Sequence, residues 1–327
     1  MNQPIGSSRT RLPDDPDAVA GAGLPGLDPE LEAAVPAFPR ADLSDPVAAR
    51  NSLARLAATA PAPDTTGLEI EERTVDADPQ VPVRIYRPHG ARGAILWLHG
   101  GGFVMGDLDT EHPWAVRIAH GSGAAVVSVG YRRAPEHPYP AALDDTCAAL
   151  AWATDHAAEL GIDPTRIAIG GHGAGATLAA AAALRARDRQ GPPIRFQLLN
   201  QPALDDRQQT WSARHFTATP FMTREKSAAS WRHYLGPKTD AAPVSPYAAP
   251  ARATDLSGLP AAHIATAQFD PNRDEAIDYA LRLLQAGVPV DLHQWAGTFH
   301  GSQAAVSAEV SRRQIDELAA VLRRALA

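Results

Sequence analysis

Apolar positions fall along this chain in two rhythms. Short, nearly continuous apolar runs such as GAILWL and AAVVSV stand between longer stretches in which apolar residues recur every three or four positions. Runs of the first kind belong to strands buried on both faces, and so to a mostly parallel sheet covered by helices. From residue 68 onward eight strand candidates follow one another: GLEIEERTV, VPVRIYRP, GAILWLHG, AAVVSVGY, RIAIG, IRFQLLNQ, PAAHIATAQ and PVDLHQWAG. Between the later ones lie helix-length patterns near 110–122, 140–159, 174–189, 273–286 and 303–326. The first two strands alternate polar and apolar residues and lie close in sequence, which predicts an antiparallel edge pair. The whole pattern predicts a doubly wound α/β sheet.

Upstream of the sheet the rhythm changes. Residues 1 to about 26 are rich in Pro, Gly and Asp, without periodicity, and read as a lead-in. DPELEAAV (28–35) and DPVAARNSLARLAATA (45–60) each open with Asp-Pro, an N-cap followed by proline at the first helical position. They are expected to pack over the core as part of a helical cap. The chain then divides into 1–65, lead-in and cap helices, and 66–327, an α/β core. A second cap segment at about 206–250 interrupts the alternation and holds Trp211, Phe216, Phe221, Met222, Trp231 and Tyr234, which either line an apolar pocket or simply pack.

Composition removes several classes of function. At 327 residues, 45% of them hydrophobic, the chain can bury a sizeable core. A formal charge of −7 with no basic run argues against nucleic acid as a partner. Cys147 is the single cysteine, so neither an intrachain disulfide nor a thiolate metal cluster can form. The opening MNQPIGSSRTRLPDDPD lacks the apolar region of a signal peptide, and no stretch reaches the ~18 apolar residues of a membrane span. A cytoplasmic protein without a membrane span is expected. None of the twelve histidines forms HExxH or another ligand spacing, so neither metal nor cofactor is expected.

Two glycine-rich turns carry the candidate chemistry. HGGGF (99–103) follows a buried strand, and its glycines let the backbone approach a ligand and aim N–H groups at it, as an oxyanion hole requires. GGHGAGA (170–176) lies at a strand-to-helix turn and contains no Ser, Cys, Thr or Asp. Its spacing does not fit the dinucleotide fingerprint GxGxxG, and Asp188 downstream lies in a charged loop rather than at the end of a second strand.

From about residue 68 the chain resembles the hormone-sensitive-lipase family of α/β-hydrolases. The resemblance rests on HGGGFVMGDLDTEHPWAVRIAHGSGAAVVSVGYRRAPEHPYPAALDD (99–145), RIAIGGHGAGATLAAA, QPALD, SPYAAP, DLSGLPAAHIATAQFDPNRDEA and FHG. It implies the α/β-hydrolase fold: an eight-stranded, mostly parallel sheet flanked by helices, with a helical cap. It also implies Asp270 and His300 as acid and base, and the backbone N–H groups of Gly101, Gly102 and Ala174 as oxyanion donors. Where the family reads GDSAGG, aligning Gly171 and Gly175 puts His172 on the Asp, Gly173 on the nucleophilic Ser and Ala176 on the last Gly. The nucleophile position is thereby vacant. His172 and His99 are expected to support the site from behind, and Cys147 to lie in the core.

A base oriented by a carboxylate beside an oxyanion hole suits proton abstraction next to a carbonyl. Elimination, cyclisation, isomerisation or decarboxylation of a small apolar carbonyl- or ester-containing substrate is therefore the first expectation. Carboxylic ester hydrolysis, by direct attack of water or in an engineered Ser-to-Gly esterase, is the alternative, and non-catalytic binding of a small molecule a third. The accompanying changes at His172 and Ala176 favour natural divergence over engineering. A homodimer is the candidate assembly.

Overall fold

The computed structural model describes residues 24–38, 42–59, 61–237 and 243–327, so all but the last few residues of the lead-in expected over 1 to about 26 lie outside them. Two helices come first, α1 (Pro29–Ala34) and α2 (Pro46–Thr59). The core then runs β1 (Leu68–Val75), β2 (Val81–Pro88), β3 (Ala94–Leu98), α3 (Leu108–Ser122), β4 (Ala125–Val129), α4 (Ala141–Asp155), β5 (Ile167–His172), α5 (Ala174–Asp188) and β6 (Phe196–Asn200). After it come α6 (Trp211–His215), α7 (Arg224–Leu235), β7 (Ala262–Phe269), α8 (Arg273–Gln285), β8 (Val290–Phe299) and α9 (Glu309–Ala325).

The strands form one eight-stranded sheet in the order β1-β2-β4-β3-β5-β6-β7-β8. β1 pairs antiparallel with β2, and β2 pairs antiparallel with β4. Every later pairing is parallel. β3 to β6, the apolar runs, are buried along their whole length, as their composition requires. The expected antiparallel pair is present, but only β1 is an edge. β2 is inserted between β1 and β4, and its alternate apolar residues Val81, Val83 and Ile85 are buried where β1 remains largely exposed. The last helix begins at Glu309 instead of near 303, because Gly301 turns the chain at φ 79° and Ser302–Ala304 form a short 3-10 turn first.

The chain leaves β3 for β4 on one side and reaches β5 on the other, so adjacent connections diverge from the carboxyl end of β3. Open α/β sheets hold ligands in the crevice at such a point. The α5 helix starts there, packed so closely against β3 that positions 171 and 175 admit only glycine. A Cβ on Gly171 would stand 2.2 Å, and one on Gly175 2.0 Å, from the carbonyl oxygen of Leu98 in β3. Gly175→Ala is therefore expected to destabilise the fold by about 3 kcal/mol, the upper range for overpacking, read as a lower urea midpoint at unchanged slope.

Sequence signals at the helix ends behave as expected. Asp28 caps α1, its carboxylate accepting the Glu30 N–H at 2.9 Å, with Pro29 in the first turn. Leu31 of α1 is buried with Phe216, Phe269 and Phe299. Ahead of and along α2, Leu43 and Ala49 pack on Val104 and Met105 beyond the HGGGF turn, and on Met222 and Ala229 around α7. The Arg50 guanidinium, also on α2, reaches the Val104 and Ala134 carbonyls and the Glu136 carboxylate. No helix among the described residues is long and apolar enough to cross a membrane.

Candidate active site

Four chain segments meet at the carboxyl ends of β3, β5, β7 and β8. The turn from β5 into α5 pivots on Gly173, at φ 49° and ψ −112°, a backbone conformation that residues with a side chain adopt only under strain. The Gly173 N–H donates to the Asn200 carbonyl at 2.9 Å, which anchors the turn to β6. A Cβ built on Gly173 would point at the imidazole of His300, 3.2 Å from Nε2 and 3.5 Å from Cε1.

His300 follows β8 directly, and Asp270 follows β7. Their side chains meet at 2.7 Å between Nδ1 and Oδ2. Both are buried, Asp270 at 1% and His300 at 8% exposure. The other Asp270 oxygen accepts the Asn272 N–H at 2.9 Å, so the carboxylate is held from both ends. A carboxylate can only accept, so Nδ1 carries the proton and Nε2, the atom facing Gly173, presents a lone pair. The Gly301 N–H donates to Gln201 Oε1 at 2.7 Å and fixes the turn that carries the imidazole. The Phe221 ring lies parallel to it with centroids 6.3 Å apart.

Gly101 and Gly102 have φ of 117° and 59°, and Gly101 accepts the Val104 and Met105 N–H groups in a tight turn. Among the described residues, no acceptor is present for the N–H groups of Gly101, Gly102 or Ala174. A cavity of about 450 Å³ opens over the site, lined by Gly101, Gly173, His300, Phe221, Trp114 and Met105 among others. Behind Gly173 a second, smaller space of about 20 Å³ is bounded by Gly102, Ala174, His300, Ser227, Ser230 and Asn272. That is room for one water molecule with several polar partners. Of the large side chains of the 206–250 segment, Phe221 alone lines the main cavity. Met222 and Trp231 border the small one, while Phe216 and Tyr234 are buried in packing.

The supporting histidines differ in role. His99 is sealed under the glycine turn, its Nδ1 2.8 Å from the Gly100 carbonyl and its ring stacked on Tyr131 at 4.0 Å. Burial pushes its pKa down to about 4, so it is neutral and braces the turn from behind. His172 lines the main cavity, packed edge-on against Trp97 and Trp114. The Asn200 amide nitrogen lies 2.7 Å from its Nδ1, and burial, with His300 nearby, lowers its pKa to about 3. Cys147, expected in the core, is instead half-buried against its edge, where burial raises its thiol pKa, and it does not line the site's cavities.

Two buried carboxyls without a Lys or Arg partner among the described residues escaped the motif reading. Glu275, in the first turn of α8, accepts the Leu204 and Asp205 N–H groups at 2.6 and 3.2 Å, and burial raises its pKa well above the usual range. Glu111, in the first turn of α3, reaches the main cavity. TEHPW was the only available signal, and nothing in it sets this Glu apart from a solvated one.

Residues 95–304 match the family model described as alpha/beta hydrolase fold. Esterase LipI of Mycobacterium tuberculosis is 41% identical over 286 residues, covering 85% of this chain and 88% of that protein. Carboxylesterase NlhH of the same species is 44% identical over 241 residues, covering 72% of this chain and 75% of that protein. The solved structure titled Bacterial Heroin Esterase superposes with a TM-score of 0.88 at 44% identity, covering 93% of this chain and 99% of that one. By sequence and by fold, the chain belongs to the hormone-sensitive-lipase-like group of the α/β-hydrolase fold family.

Proposed function

We propose that the chain is a carboxylic ester hydrolase whose nucleophile position is held by Gly173, and in which His300 activates water directly. The observation that carries this reading is the space between Gly173, Ala174, Gly102 and His300, about 20 Å³, beside an imidazole already oriented by Asp270. Nε2 takes a proton from the water as its oxygen bonds to the ester carbonyl carbon. The developing oxyanion is met by the N–H groups of Gly101, Gly102 and Ala174. Collapse breaks the bond to the alcohol oxygen, which leaves with the proton from Nε2, and the carboxylic acid is released. No acyl-enzyme forms.

The first expectation, elimination or cyclisation, finds no support in the relatives, which are esterases by name. Hydrolysis is the chemistry that the relatives and the retained base share. A triad enzyme stripped of its nucleophile keeps roughly 10³ to 10⁴-fold acceleration over water through oxyanion hole and binding, so slow turnover is expected. Short p-nitrophenyl esters are the assay. The unmodified chain should release p-nitrophenol steadily above the buffer rate, with no initial burst and no acyl adduct by mass spectrometry. Release at the buffer rate by well-folded protein would reject the water mechanism and leave a binding protein.

A further inference from the structure

The main cavity is walled largely by apolar groups, and Glu111 stands among them at 6% exposure. Its Oε1 accepts the Trp97 indole N–H at 2.6 Å, and His172 Nε2 lies 3.7 Å from the same oxygen. Since the Asn200 amide donates to Nδ1 of His172, Nε2 carries the ring proton, but at 3.7 Å it stands beyond hydrogen-bond reach of Oε1 and has no partner among the described residues. Oε2 has no partner among the described residues and is not among the atoms sealed from solvent, so it faces the cavity.

Among the described residues, no cationic side chain balances this carboxyl. The ionisable groups that face it are Asp107 at the head of α3, His172, and Tyr86 and Tyr131 from the neighbouring β2 and β4 segments. None of them is positive at neutral pH, His172 being neutral because it is buried. Burial and the Asp107 charge raise the Glu111 pKa to about 8, despite the Trp97 donor. A buried carboxyl reaches a satisfied state either by keeping its proton and donating it, or by ionising against a cation. The Trp97 donor at Oε1 suits the ionised form, and among the described residues no acceptor for a carboxyl proton stands at Oε2.

We propose that Glu111 binds the positive end of an ammonium-bearing ligand in the cavity it shares with His300. This rests on that cavity being the substrate pocket, and it makes the favoured ester one that carries a cationic nitrogen. The ligand supplies the charge that the protein withholds, and the Trp97 indole N–H holds the carboxylate that receives it.

The test is a binding measurement that needs no turnover, so it stands apart from the fate of the hydrolysis reading. Benzyltrimethylammonium and its neutral carbon isostere neopentylbenzene are titrated into the unmodified full chain, followed by tryptophan fluorescence, at pH 6 and pH 9. The ammonium is charged at both values, so any pH effect belongs to the protein. Glu111 ionises as pH rises through about 8, so affinity for the cation is expected to rise with pH. At pH 9 the cation should bind about tenfold or more tighter than the isostere, a preference that collapses at pH 6. Glu111→Gln should abolish the preference at pH 9 while leaving neopentylbenzene affinity within about twofold. Equal affinities at both pH values, or a preference that survives Glu111→Gln, would overturn the proposal. The pH arm needs no variant, so a poorly folding Glu111→Gln leaves the test intact.

Discussion

Gly173→Ser is expected to raise turnover of short p-nitrophenyl esters by about 10³-fold or more over the unmodified chain, since a nucleophile tethered beside its base replaces a free water. Everything else that a serine would need is in place. The Cβ direction at residue 173 leads to His300 Nε2, the imidazole is held by Asp270 at 2.7 Å, and the N–H groups of Gly101, Gly102 and Ala174 are unengaged among the described residues. The kinetic form should change along with the rate. A burst of p-nitrophenol and an acyl adduct on residue 173 are expected, where the unmodified chain shows neither.

The same substitution should weaken the fold. A side chain at φ 49° and ψ −112° lies in a disfavoured region, at a cost of about 1–3 kcal/mol. The new Cβ at 3.2 Å also obliges His300 to retreat by a few tenths of an ångström. Higher activity with a lower melting temperature is therefore the expected pairing. A folded Gly173→Ser variant with neither burst nor faster turnover would refute the assignment of this turn as a nucleophile position.

His300→Ala is expected to lower turnover by about 10³-fold or more in the unmodified chain and in the Gly173→Ser background alike, because both routes pass their proton through Nε2. Asp270→Asn in the Gly173→Ser background should cost about 10⁴-fold in kcat, as an Asn that donates to Nδ1 turns the Nε2 lone pair into an N–H. Neither change fills the 450 Å³ cavity, so affinity for a non-reactive ester analogue should stay within about threefold. Turnover that survives His300→Ala would move the base elsewhere, with Glu111 the next ionisable group on the cavity wall.

Much of the fold was legible because burial on both faces leaves an unmistakable mark. A strand such as AILWL has no polar position to spare, and helices between such strands repeat every three to four residues. The limits of α9 and the interior place of β2 were not legible. A short 3-10 turn carries the same apolar residues as the start of a helix, and the pairing of β2 with β4 depends on a strand far along the chain.

The candidate site divides along the same line. HGGGF, GGHGAGA, Asp270 and His300 could be located in the chain because glycine turns and family motifs are local in sequence, and local sequence dictates backbone conformation at a turn. What Glu111 touches could not. Trp97, Glu111, His172 and Asn200 are scattered over a hundred residues, and only the order β3-β5-β6, with α3 packed above it, brings them within contact of one another. By itself the sequence determined a mostly parallel α/β sheet and a glycine-rich strand-to-helix turn without Ser, Cys, Thr or Asp. Tertiary structure alone decided that a carboxyl without a cationic partner among the described residues shares the cavity beside this turn, because burial and charge neighbourhood are properties of packing rather than of chain order.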